Sequence, residues 1–273
     1  MPESPEVQAL AEQLDERMAG HSIASVDAVD RRIVKTRERL PASVAGARID
    51  GVRRFGKYLG FDLGGQWMVL SFGRNGWIRW RPGGTPDPDA AGYAVADVTL
   101  EDGALMQIAE TGDFLAVAVW MVDTPEDVAG VADLGPDPIS PDFSPADLER
   151  ALGTRRKQIK ALLQEQRSVA GIGNAYSDEI LHRARVSPVV HAAVLTAEER
   201  GRLYRATVDV MRGAVADRRG VPADSLKQTK VAAMAVHGRA GEACPVCGDI
   251  IVDHVFGGAS AQLCPTCQPS RAS

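Results

Sequence analysis

Four cysteines decide how the end of this chain can fold. They fall as Cys244-Pro-Val-Cys247, an interval of sixteen residues, and Cys264-Pro-Thr-Cys267. Thiol pairs at that spacing suit one tetrahedral ion held by two knuckles on a short β-hairpin, and zinc is the metal that a closed four-sulfur set favours. A redox dithiol or an iron-sulfur cluster is the other use of paired cysteines. The module from Val236 to Gln268 is too small to fold on its own apolar surface, so its metal would be structural, and chelation should melt it. In a reducing compartment the same pattern excludes a disulfide framework.

The remainder is ordinary soluble protein: 273 residues, 45% hydrophobic and 25% charged, enough for two domains or one plus a small module. No apolar run approaches the ~18 residues of a membrane span, and the acidic start is unlike a signal peptide, so a cytoplasmic protein is expected. The net charge of −5 counts at first against a nucleic-acid partner. The average conceals a division. Residues 1–82 carry 13 Lys and Arg against 10 Asp and Glu, residues 83–150 carry 1 against 15, and residues 151–273 carry 17 against 11. Two basic flanks are masked by an acidic middle, and a phosphate backbone responds to the local patch, because distant charge is screened beyond ~10 Å.

Along the chain, Val7, Leu10, Ala11, Leu14 and Met18 recur at helical spacing, which predicts a helix over 5–19 ended by Gly20. From Ile23 to about Leu115 the apolar runs are short, rich in Val, Ile, Trp and Phe, and separated by turns at Gly64-Gly65, Pro82-Gly83-Gly84 and Asp102-Gly103. That pattern predicts an antiparallel sandwich or barrel, with an exposed link at 81–91. Residues 124–145, dense in proline and acid, read as a connector. Helices follow at 145–152, 159–165, 174–183 and 196–217, the last opened by a Thr196-Ala-Glu-Glu199 capping box. There is no internal repeat. The expected division is a catalytic β-sandwich domain over 1–123, a linker over 124–145, a helical domain over 146–235 and the four-cysteine finger over 236–273.

Two stretches carry chemistry beyond the cysteines. The chain opens Met1-Pro2-Glu3-Ser4-Pro5-Glu6, and trimming of Met1 would expose a secondary amine beside two carboxylates. An α-amino group titrates near ~8, so part of it is unprotonated at neutral pH and able to attack a sugar aldehyde carbon. The bland alternative is a loose tail, with Glu3 and Glu6 serving only the start of a helix. The second stretch is Gln166-Arg-Ser-Val-Ala-Gly171-Ile-Gly173-Asn174, a glycine passage in which Asn174 can cap the next helix. With Arg155, Arg156, Lys157, Lys160 and Arg167 in front of it, this turn is expected to bind phosphate through exposed amides; an ordinary αα-hairpin is the plain reading.

Met-Pro-Glu-x-Pro-Glu at the start, Phe55-Gly56-Lys57-Tyr58-Leu59, Leu134-Gly135-Pro136-Asp137-Pro138, the block from Gln166 to Pro188 and the closing cysteines occur in family order across nearly the whole chain. Together they make it resemble a divergent member of the formamidopyrimidine-DNA glycosylase and endonuclease VIII family. The resemblance implies an α+β multidomain fold: an N-terminal β-sandwich with a flanking helix, a helix-two-turn-helix domain and a zinc-ribbon hairpin. It implies a monomer on damaged double-stranded DNA, and a glycosylase with β-lyase activity. Pro2 would be the Schiff-base nucleophile at C1′, Glu3 the general acid/base, Glu6 a support for the amine, and Lys57 and Asn174 grips on the phosphates around a flipped nucleotide. Lys160 and Gly173 would join the DNA-binding set.

The departures from the family pattern are also informative. Where the family supplies an intercalating methionine, this chain has Ser71-Phe72-Gly73-Arg74-Asn75-Gly76, so Arg74 would enter the gap left by the flipped base. Where it often has an Arg-Arg-Phe loop, this chain has Gly112-Asp113-Phe114, which keeps the aromatic and loses the cations. At the finger tip Ser260 stands where the family uses an arginine, which argues against standard 8-oxoguanine recognition and for a weakened δ-elimination. A non-catalytic DNA-damage-binding paralogue is the alternative from a different class; a zinc-ribbon transcription or RNA module would leave the N-terminal pattern idle.

Overall fold

The computed structural model describes residues 2–85, 92–256 and 259–270, so most of the expected 81–91 link, and Gly257-Gly258 at the finger tip, lie outside the described residues. The chain packs into two compact units. One holds residues 1–2, 6–133 and 220–226; the other holds 3–5, 134–219 and 227–273.

In the first unit, helix α1 (Ser4–Met18) turns Val7, Leu10, Leu14 and Met18 into the core, each fully buried, as the periodicity requires. Gly20 then closes the helix end by donating to the Ile49 carbonyl at 2.7 Å. The strands are β1 (Ile23–Asp27), β2 (Gly51–Phe55), β3 (Tyr58–Asp62), β4 (Trp67–Ser71), β5 (Gly76–Arg81), β6 (Tyr93–Leu100), β7 (Leu105–Glu110) and β8 (Ala118–Val122). They form two antiparallel sheets, ordered β1-β6-β7-β5 and β2-β3-β4-β8. Ile23, Phe61, Leu70, Ile78 and Met106 from both sheets join α1 in one core. The last strand lies past Leu115, where the sequence pattern faded. A polar ladder crosses three strands: Arg79 donates to Gln107 Oε1 and Gln107 donates to Asp97 Oδ1, both at 3.1 Å, which satisfies groups that burial would otherwise penalise. Residues 220–226 belong here because Trp77 Nε1 donates to the Ala223 carbonyl at 2.9 Å.

The proline-rich stretch 124–145 is divided between the units after Asp133. A 3-10 turn (Pro125–Asp127) and the short α2 (Ala129–Ala132) close the first. The second contains α3 (Pro145–Leu152), α4 (Ile159–Leu163), α5 (Asn174–Ala184), α6 (Ala197–Arg218) and most of α7 (Leu226–Ala233). Thr196 and Glu199 cap α6 reciprocally as read from sequence, and a second box, Ser144 with Asp147, starts α3. Leu148, Ile159, Leu163, Ile172, Ile180, Leu203 and Met211 fill the helical core. Hairpin β9 (Val252–Phe256) and β10 (Ala259–Leu263) carries the cysteine module, whose own core is Val236, Ile251 and the buried cysteines.

Candidate active site

The N-terminus of α5 is the centre of the second unit's polar chemistry. Four orphan amides at a helix start attract an anion, and here the anion is the chain's own. The Glu3 carboxylate accepts from the Gly173 amide through Oε2 and from the Ala175 amide through Oε1 at 3.1 Å. Its Oε1 also pairs with Lys230 Nζ at 3.0 Å, and that ammonium lies 4.8 Å from the Tyr176 ring centre. Glu3 is 1% exposed. Next to it, the Ser4 amide donates to the Gly171 carbonyl at 3.1 Å.

This arrangement corrects the phosphate-turn expectation in three places. Gly173, not Asn174, occupies the cap position of α5, and its amide is taken by Glu3 rather than offered to a phosphate. The glycines are explained by close approach: a Cβ on Gly171, whose φ is +84°, would lie 1.8 Å from Ser4 Oγ, and one on Gly173 would lie 2.6 Å from Glu3 Cδ. Lys160, expected on the DNA, is 1% exposed and ion-paired with Asp178. Burial lowers its pKa, against the pull of the Asp178 carboxylate in the other direction. A buried, paired ammonium cannot reach a phosphate; it braces α4 to α5 and donates to the Asn174 carbonyl at 3.4 Å.

Asn174 itself stays exposed, its Oδ1 accepting from Gln164 at 3.1 Å. Gln166 shapes the loop in front of it by donating to the Gln164 and Ile172 carbonyls, each at 2.8 Å, and accepting from the Gly171 amide at 2.9 Å. Three of the expected phosphate cations converge instead on Glu165: Arg155 at 2.7 Å, Arg167 at 3.0 Å and Lys157 at 3.3 Å. Hydrogen bonds from Arg155 first, then Ser168, hold the Glu165 carboxyl well below the ordinary range.

Within the first unit, Pro2 and Glu6 are buried and Lys57 is half-buried in the two-residue turn between β2 and β3. Arg74 and Phe114 come from adjacent loops. The Thr111 hydroxyl donates to the Asn75 carbonyl at 2.8 Å. Glu110, fully buried at the end of β7, accepts the amides of Thr111, Gly112 and Ala116, each at 3.1 Å. One carboxylate thus folds the loop that presents Phe114, which is 84% exposed. Sequence reading missed Glu110, Asp178 and Lys230. No local pattern separates Lys230 from Lys227 before it, and its partner is 227 positions away.

The four cysteine sulfurs lie within 4.8 Å of one another, with Cys244 to Cys267 at 3.9 Å and Cys247 to Cys264 at 3.3 Å. Zinc–sulfur bonds of about 2.3 Å imply tetrahedral edges of about 3.8 Å, so the donor set fits one zinc ion and leaves no open coordination position.

Comparison with known proteins bears on every part of this chain. The family model described as the formamidopyrimidine-DNA glycosylase N-terminal domain matches residues 1–117. The model for that enzyme's H2TH domain matches 134–225, and the zinc finger found in FPG and IleRS matches 241–269. The chain belongs to the formamidopyrimidine-DNA glycosylase family. The formamidopyrimidine-DNA glycosylase of Pelotomaculum thermopropionicum is 32% identical over 98% of this chain and 99% of its own length. That of Thermus thermophilus is 35% identical over 98% of both. The crystal structure of MutM (Fpg) from Thermus thermophilus superposes with a TM-score of 0.83 at 32% identity, covering 99% of this chain and all of that one. Lactococcus lactis Fpg bound non-covalently to DNA containing an AP site gives 0.84 at 26% identity, over 98% of this chain and all of that one.

As a family member the chain carries one structural zinc in its cysteine finger. Ser260, where an arginine is expected from the resemblance, sits exposed in β10 opposite Val255.

Proposed function

We propose that this chain excises a damaged base from double-stranded DNA and then cleaves the abasic site, with the Pro2 nitrogen as nucleophile. The anchoring of Glu3 is the observation that carries this reading. The residue that follows Pro2 is fixed by two helix amides and an ammonium, which a loose tail would not be. With Met1 removed, the proline nitrogen attacks C1′ of the sugar, the damaged base leaves with the C1′–N bonding pair and takes up a proton, and opening of the C1′–O4′ bond leaves an iminium; on an abasic aldehyde the same nitrogen adds, loses its proton and expels water to reach that iminium. A proton then departs from C2′, a C2′–C3′ double bond forms, and the 3′ phosphate leaves with the C3′–O bonding pair. Water hydrolyses the iminium and returns the amine.

The Gly173 and Ala175 amides and the Lys230 ammonium all donate to the Glu3 carboxylate, which we place as the group that accepts a proton and gives one back. Glu6 supports the amine. Lys57 and Asn174 contact phosphates flanking the extruded nucleotide, and Arg74 with Phe114 fills the vacated stack, offsetting an unstacking cost of about a few kcal/mol. With Gly173 and Lys160 committed internally, they leave the set that touches DNA. The serine at 260 favours products ending at β-elimination and a substrate range away from 8-oxoguanine. We take the enzyme to act as a monomer in the cytoplasm; no helix among the described residues is long and apolar enough to cross a membrane.

Borohydride reduction in the presence of DNA carrying an abasic site tests the reading. A covalent protein–DNA adduct is expected, absent from a Pro2→Gly variant that retains Met1. Tight binding with neither adduct nor strand cleavage, in protein whose intact mass lacks Met1, refutes it.

A further inference from the structure

Helix α5 carries a second polar contact that the proposed reaction does not use. His182 lies on the same face as Asp178, one turn further along, and its Nε2 sits 3.3 Å from Cys244 Sγ. Both residues are buried, at 5% and 3% exposure. A metal-bound thiolate has no proton to give, so this contact is a hydrogen bond only if the imidazole donates through an Nε2–H. We infer that His182 is an outer-sphere donor to the zinc-bound Cys244 thiolate, a positioning residue that fixes the finger to α5 and lowers the electron density on one of its four sulfurs.

Three further contacts make the finger's attachment specific to this helix. The Glu179 carboxylate accepts the amides of Ala235, Val236 and His237 at 2.8, 2.9 and 2.8 Å, which fixes the turn entering the finger. His237 Nδ1 meets Asp178 Oδ2 at 2.8 Å. On the far side, Gln268 Nε2 donates to the Val186 carbonyl at 3.0 Å, just beyond the helix end. Asp178 and Glu179 thus hold polypeptide, Gln268 holds the backbone of Val186 and, through its Oε1, the Cys264 amide at 3.1 Å, and His182 alone among these reaches a ligand sulfur. Outer-sphere partners orient ligands and moderate charge donation to the ion, and removing one costs about 10- to 100-fold in metal affinity.

The experiment uses full-length zinc protein and the variants His182→Phe and His182→Gln. Zinc transfer to an excess of a chromogenic chelator should be about 10- to 100-fold more favourable for His182→Phe, with His182→Gln, whose amide can still donate, in between. In the cobalt(II)-substituted protein, loss of the donor should move the thiolate-to-cobalt charge-transfer band to lower energy, a change that altered packing alone would not produce. A zinc-transfer equilibrium within threefold of the parent protein's, or more favourable transfer with an unmoved band, overturns the inference. Should the phenylalanine variant fail to fold, the unaltered protein answers: long-range proton–nitrogen spectra must find the proton of His182 on Nε2, and a proton on Nδ1 alone overturns it. None of these readouts depends on glycosylase activity.

Discussion

Replacing Lys230 with methionine keeps the length of the side chain and removes the ammonium that pairs with Glu3. At 3.0 Å separation and an effective dielectric of ~20, the two charges attract by about 5 kcal/mol. Desolvation offsets part of that, because the side chains are only 11% and 2% exposed. The carboxylate left behind keeps its two amide donors, so the cost belongs at the low end for breaking a buried pair, about 3 kcal/mol. That is a shift of roughly 150-fold in the folding equilibrium of the region. Urea unfolding of the zinc-loaded full chain, with α5 amides followed by hydrogen exchange, measures it without assuming that the two units melt together. A double-mutant cycle with Glu3→Gln isolates the pair. A loss under about 1 kcal/mol, or a coupling under ~0.5 kcal/mol, would refute the view that Lys230 anchors the N-terminal carboxylate.

Three other outcomes follow from named contacts. Gly171→Ala must push a methyl into Ser4 at a left-handed φ, so it should cost about 2 kcal/mol or more and reduce borohydride trapping, whereas Gly213→Ala, on α6 with nothing within 4 Å, should gain up to about 1 kcal/mol in thermal melts. Glu165, held below the usual range by Arg155 and Ser168, contributes stability that is complete above the ordinary glutamate value of ~4.3 and fades as pH falls towards its lowered one; the urea midpoint of Glu165→Gln should therefore approach that of the parent protein below about pH 4, and a constant gap from pH 7 to 3 would contradict this. Chelation should release four thiols to a thiol reagent and unfold β9 and β10 while the two larger cores keep their thermal transition, an expectation that fails if all three melt together.

Much of this fold was legible because its signals are local. Helical spacing of Val7, Leu10, Leu14 and Met18, the Thr196–Glu199 box and the cysteine knuckles each depend on residues a few positions apart, and each appears where the sequence puts it. The short β8 after Leu115 and the helix at Leu226–Ala233 were not read, since neither carries caps or a long period. The site was harder to read because its contacts span the chain. Nothing near Glu110 announces that its carboxylate will organise the loop bearing Phe114, and nothing near Lys160 says that it will be buried against Asp178 instead of facing DNA.

The glycine turn illustrates why correct chemistry can still misassign a ligand. Bare amides at the start of α5 do call for an anion, and the sequence offered two sources: a phosphate from outside, or a carboxylate from the chain itself. An external phosphate must give up hydration and translational freedom to settle there, whereas Glu3 is delivered covalently, with Ser4 already hydrogen-bonded to the same loop. The internal anion therefore wins, and winning has a functional consequence. A helix start whose Gly173 and Ala175 amides are spent on Glu3 cannot also grip a phosphate through those amides, so in the proposed reaction any phosphate contact from this unit must come from side chains, while the same helix holds in place the residue that follows Pro2.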